Sequence, residues 1–224
     1  MRTLLGTSLC IALIASPVAA QSGRRGTTVA APTPMDALAE AVFALTPASG
    51  VRGTPTLSAL QATKSPIHWR AAQTLEGTTR TVGTLAGAQV TAPRADPATM
   101  LTFDWQGERG QPLGFDPVAA FRKRGFQVQA LYCASMVSEG TNYFLLSAPG
   151  KRPGVLSVYA FDAPLAISSV EWSIRYRLDG HVPTLEEAQA EADLDVSTDC
   201  STQTFSPVRQ ISHAAAVALM RKQS

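Results

Sequence analysis

The residues with chemistry to offer are three histidines, three cysteines and a scatter of carboxylates in a chain of 224 residues. His68, His181 and His213 stand far apart. No H-x-H or H-x3-H pair anchors a metal, so no metal ligands and no cofactor are expected. The G-x-S-x-G elbow of serine hydrolases is absent, as is the S-x-x-K of penicillin-binding enzymes. No P-loop or dinucleotide fingerprint is present either, because the glycines are dispersed in turns. On these grounds the chain leans away from catalysis.

Four looser constellations remain. Asp193, Asp195, Ser197 and Asp199 place oxygen atoms at alternate positions, like the opening of a calcium loop. Thr198 stands where the sharp turn needs glycine and Thr204 where a bidentate Glu is needed, so a solvated acidic segment is the better reading. Cys200 and His213 can be drawn as a thiol-hydrolase pair, provided Cys200 is free. Asp104, Glu108, Glu139, Asp162 and Glu171 can supply paired carboxylates for glycosidic chemistry, but such charges are ordinary on the polar face of a sheet. The fourth is aromatic. Trp105, Tyr132, Tyr143, Tyr159 and Trp172 lie on or beside expected strands, where they line an apolar ligand pocket if the sheet curls, or a packed core if it does not.

The cysteines depend on the compartment. Arg2 followed by the apolar run Leu4 to Ala15, Pro17 and the small Val18-Ala19-Ala20 reads as a secretory signal peptide over 1–20, cut before Gln21. Its style points to a bacterial periplasm or another secretory route. Cleavage removes Cys10 and leaves Cys133 and Cys200, an even pair that an oxidising compartment joins as a disulfide. The long loop so closed is worth roughly 4 kcal/mol in the chain-entropy model. With no C-x-x-C spacing, the bridge is structural.

Residues 21–33 read as a disordered lead, and 34–224 as a single α+β domain. Thr33-Pro34 with Asp36 caps a helix carrying Leu38, Val42 and Leu45, which Pro47 stops. From 48 to 97 Pro, Gly and Thr blur the pattern; Ile67–Ala71 and Thr78–Leu85 are the best strand candidates. Beyond that the period-two alternation is clear. Leu101, Phe103 and Trp105 mark one strand; further strands follow at 126–135, 143–148, 155–161 and 170–178, with Glu139 to Asn142 as a turn. Asp116-Pro117 starts a helix whose Arg122, Lys123 and Arg124 suit its C-terminal end. Thr184 caps a short helix, and Ser206-Pro207 caps a last one lined by Val208, Ile211, Ala215, Ala218 and Leu219.

The architecture expected is therefore α+β: an antiparallel meander of about five strands packed with helices from both ends of the chain. A net charge of +2 argues against a dedicated nucleic-acid binder, which needs a basic face, and after leader removal no apolar run reaches membrane-spanning length. The polar strand face carrying Arg175 and Arg177 can meet an acidic partner or simply water. The function expected is a secreted or periplasmic non-catalytic envelope protein that binds a protein partner or a small apolar ligand. A periplasmic hydrolase with a dispersed site and a structural subunit of an envelope assembly stand as alternatives.

Overall fold

The computed structural model describes residues 32–75, 77–107, 116–134, 139–161, 170–192, 196–201 and 207–223. The expected signal peptide and most of the expected lead lie outside them, as do Glu108, Asp162, Asp193, Asp195 and Thr204. From Pro32 onward the chain forms one compact unit.

Helix α1 (Pro34–Leu45) begins where its sequence signals place it. Thr33 Oγ1 accepts the Asp36 N–H at 3.1 Å while Asp36 Oδ2 accepts the Thr33 N–H at 3.1 Å, a reciprocal cap that satisfies two end groups. Its stripe of Leu38, Val42 and Leu45 is buried. After a loop comes a helix the sequence did not announce, α2 (Leu57–Ala62), capped by Thr56 and burying only Leu57 and Leu60. Two leucines in six residues, among small and polar ones, are too few to show a period.

The sheet follows in two meanders. The first is β1 (His68–Leu75), β2 (Thr79–Leu85), β3 (Ala88–Pro93) and β4 (Met100–Gly107). After helix α3 (Pro117–Lys123) comes the second, β5 (Gln127–Ala134), β6 (Glu139–Ser147), β7 (Gly154–Phe161) and β8 (Val170–Arg177). Their order is β1-β2-β3-β4-β8-β7-β6-β5, so the last strands of the two meanders pair antiparallel at the centre and the topology reads the same from either side. Each meander is preceded by helix, and α1 packs against α3. This is a topological repeat, although the sequence shows no internal repeat.

The α+β class with one disulfide is the observed one. The five expected strands appear as β4 to β8, and the meander doubles because β1 to β3 join it. Their alternation is broken at Gly83, where β2 shifts register against both β1 and β3, so the period-two signal is diluted. The expected turn at Glu139–Asn142 is instead paired strand, Glu139 opposite Phe161 through Asn142 opposite Val158.

Alternation gives the sheet two unlike faces. On the first, Val90, Phe103, Ile174, Val158 and Phe144 pack with Leu38, Val42 and Phe121 beneath α1 to α3. On the second, Tyr132, Tyr143, Leu145 and Val155 pack under α4 (Leu185–Ala192) and α5 (His213–Gln223). Burying each such side chain contributes about 1.5–3 kcal/mol before entropy is subtracted. A register shift between Ala130 and Tyr132 in β5 is what carries Tyr132 to the second face, while Val128, Ala130 and Cys133 stay with the first.

The last helix differs from the expectation. It starts at His213 rather than after Ser206-Pro207, because Arg209–Gln210 pairs parallel to β5 as a two-residue strand, β10, and the Ile211 N–H reaches the Ala130 carbonyl at 2.8 Å. Ser212 caps it, with its Oγ accepting the Ala215 N–H at 3.3 Å. Its buried residues are Ala216 and Met220; Ala215 and Ala218, expected on the inner stripe, are exposed.

The basic triplet that ends α3 is used within the chain. Lys123 Nζ lies 2.9 Å from Asp36 Oδ1, Arg124 pairs with Glu40 and stacks 3.6 Å over the Phe43 ring, and an Arg122 Nη2 donates to the Pro207 carbonyl at 2.6 Å. The Lys123 contact, with help from the Thr33 amide, holds the Asp36 carboxyl below its ordinary range. Pairs this exposed contribute about 0–1 kcal/mol each.

Candidate functional site

The site is built on the turn that leaves β8 and on the starts of α4 and α5. Asp179-Gly180 turns the chain, with Gly180 at φ +75°, a conformation glycine adopts without penalty. Asp179 is held by Arg177, whose Nη2 lies 2.9 Å from its Oδ2, and Asp179 Oδ1 accepts the His181 N–H at 3.0 Å. Thr184 and Glu187 then form a reciprocal cap on α4: the Glu187 Oε2 accepts the Thr184 N–H at 2.7 Å, and Thr184 Oγ1 accepts the Glu187 N–H at 3.2 Å. The same Oε2 lies 3.0 Å from His181 Nε2. The Thr184 amide first, and His181 second, hold the Glu187 carboxyl below its ordinary value.

Two recesses open at this place. One, of about 730 Å³, is lined by Arg52, Arg152, Asp179, His181, Glu187 and Arg221, with Val217 and Met220 behind them. The other, of about 550 Å³, is lined chiefly by Leu131, Tyr132, Leu185 and Ile211, with Gln210 and Ser212 at its side. Thr184 and His213 line both, so the polar recess and the apolar recess adjoin at the N-terminal ends of α4 and α5. Both volumes fall in the range of about 300–1,000 Å³ typical of small-ligand sites.

Arg152 is the buried member. Only 5% exposed, it donates from Nη1 to the Gly53 carbonyl at 2.7 Å and from Nη2 to the Leu178 carbonyl. Among the described residues no carboxylate pairs with it. His213 Nε2 lies 3.2 Å from the Val182 carbonyl, which fixes the ring against the strand-to-helix connection.

The expected aromatics are divided between the faces. Trp105 belongs to the first face, where it stacks on Phe103 at 6.4 Å and its Nε1 donates to the Ala86 carbonyl at 3.1 Å. Tyr132 and Tyr143 meet edge to face on the second, 6.1 Å between centroids, and donate their hydroxyls to the Pro183 and Ala188 carbonyls. Burial pushes both phenols up, that of Tyr143 the further. Tyr159 is half-buried on that face, opposite Ser173 in β8. Trp172 stands opposite Trp105 in the register, and its side chain lies outside the described residues, as do those of Glu139 and Glu171. The structure therefore brings Tyr132 to a recess and places Trp105 elsewhere.

Cys133 and Cys200 form a disulfide with Cα atoms 5.1 Å apart, which removes Cys200 from any thiol pairing with His213. Asp104 accepts the Ser173 hydroxyl at 2.8 Å. Arg175 and Arg177, exposed in expectation, meet Glu191 of α4 at 3.1 and 3.8 Å: the acidic partner of that strand face is the chain's own helix. Among the described residues no group of three His, Cys, Asp or Glu side chains could hold a metal ion, and no helix is long and apolar enough to cross a membrane.

Sequence reasoning missed this site. Arg52, Arg152 and Arg221 sit in a loop, a turn and a helix end, each far from the others in the chain, and nothing local joins them. A signal was present in Thr184-x-x-Glu187, which marked a helix start beside His181, but it said nothing of α5 arriving at the same point. No protein-family model, curated protein or solved structure matches the chain. The geometry alone carries the functional argument.

Proposed function

We propose that this protein is an exported, non-catalytic binding protein of the cell envelope that takes a small ligand in the paired recesses beside α4 and α5. The observation that carries the reading is the adjoining of an apolar recess and a charged recess across Thr184 and His213. Ligand sites are typically apolar concavities with a few placed polar groups, and the N-termini of helices are frequent donors in them. The leader over 1–20 and the Cys133–Cys200 bridge support export to an oxidising compartment.

Native mass spectrometry of protein gently purified from an envelope fraction tests it. The reading expects a polypeptide beginning at Gln21, two hydrogens lighter than its reduced mass, with a bound small molecule on part of the population. A bare monomer whose cross-links recover one reproducible protein would replace this reading with partner binding.

A second reading, a periplasmic hydrolase, is favoured by the 3.0 Å contact between His181 Nε2 and Glu187 Oε2, since a carboxylate-oriented imidazole is a common general base. Turnover of any ester, peptide or glycan in a broad panel, lost in His181→Ala, would establish that reading. The binding reading expects none.

A further inference from the structure

The charges of the polar recess are not balanced, and the imbalance identifies the ligand's chemistry. Both carboxylates that line it already have partners. Asp179 accepts from Arg177 and from the His181 amide, and Glu187 accepts from the Thr184 amide and lies against His181. The guanidiniums lack opposite charges. Arg52, Arg152 and Arg221 line the same recess, and among the described residues none of the three meets a carboxylate. Arg152 is more than nine-tenths buried, and its two bonds run to neutral carbonyls, so no opposite charge meets it at the wall of the recess. Thr184 and His213 bring in the first turns of α4 and α5, whose N-terminal ends add positive partial charge.

Resting on the small-ligand reading, we infer that the ligand is a single-chain amphiphile with an anionic head, a carboxylate or a phosphate. The head lies among Arg52, Arg152 and Arg221, where a planar guanidinium can grip two oxygens at once. The chain lies across Thr184 and His213 in the recess walled by Leu131, Leu185 and Ile211. A free anion leaves those apolar walls unused; a neutral lipid leaves the buried Arg152 unpaired.

Calorimetric titration of the oxidised, leader-free protein with three probes below their aggregation limits tests this directly: dodecyl phosphate, dodecanol and inorganic phosphate. The inference expects dodecyl phosphate to bind at least about tenfold tighter than either of the others, the minimum worth of one charge-assisted contact. The double variant R52Q/R221Q, altered at two exposed positions, keeps its unfolding temperature and loses that advantage. Arg152→Gln extends the series if its thermal unfolding stays cooperative. Equal binding of dodecanol and dodecyl phosphate would overturn the anionic head and leave the ligand-binding reading standing. Inorganic phosphate binding as tightly as dodecyl phosphate would overturn the chain and mark a free-anion site. Failure of all three probes would overturn the inference, while a small molecule retained in the native mass spectrum would keep the parent reading and its absence would remove it.

Discussion

Arg152 and Gly53 are joined across 99 positions of sequence by a 2.7 Å hydrogen bond from Nη1 to the backbone carbonyl, which ties the turn after β6 to the loop before α2. The same guanidinium reaches the Leu178 carbonyl at the end of β8, so one side chain holds three segments that frame the polar recess. Removing it takes the donor from two carbonyls, of Gly53 and Leu178. Arg152→Met is expected to destabilise the fold by about 2–3 kcal/mol, read by urea unfolding. A change under about 0.5 kcal/mol would mean that water replaces the guanidinium without loss.

The disulfide is a separate support. It joins β5 to the segment after β9 (Val196–Ser197), closing a separation of 67 residues. Cys133→Ser with Cys200→Ser is expected to cost about 4 kcal/mol in the chain-entropy account. The measurement is the shift in urea midpoint, with the slope checked for a change in the denatured state.

Gly154 faces the phenol of Tyr176. A Cβ there would overlap Tyr176 Oη, whose buried hydroxyl also meets Thr46 Oγ1 at 2.7 Å. The ring is buried in the first-face core, so making room for the methyl displaces packed neighbours. Gly154→Ala is expected to destabilise by roughly 1–3 kcal/mol, the usual range for overpacking. Calorimetric melting of the variant gives the number, and an unchanged melting temperature would contradict the packing described.

Burial pushes the Tyr176 phenol up to about 12 from its ordinary 10. The folded state therefore keeps a proton that the unfolded chain releases above pH 10, so stability falls with rising pH between 10 and 12. A shift of that size corresponds to about 3 kcal/mol, fully lost above the folded value. Tyr176→Phe should remove this part of the alkaline loss. Stability-pH profiles of the two proteins that run parallel through that window would contradict it.

The legible parts of this fold are those whose information is local. Thr33-Pro34 with Asp36, Asp116-Pro117 and Thr184 with Glu187 each announce a helix start through side chains within one turn of the cap, and each helix is present. Strands β4 and β8 alternate cleanly because one face meets the α1–α3 core and the other carries Thr102, Asp104, Ser173, Arg175 and Arg177. The disulfide was legible from parity. What was not legible depends on distant pairing. Arg209–Gln210 is a strand only because β5 is beside it, and Tyr132 changes face only because β5 bulges. The site is the extreme case: Arg152 and His181 lie in or beside turns that the sequence marks, but nothing local says that they meet Arg52 of a distant loop and Arg221 of α5.

The histidines offer the most direct test of the central claim, that the recesses beside α4 and α5 are the ligand site. His181 and His213 line them, whereas His68 stands exposed on β1. The imidazole resonances of all three can be followed by NMR while dodecyl phosphate is added. The account predicts saturable shifts for His181 and His213 with His68 unmoved. Saturable binding that leaves both unmoved, or that moves His68 alone, would place the ligand elsewhere and contradict it.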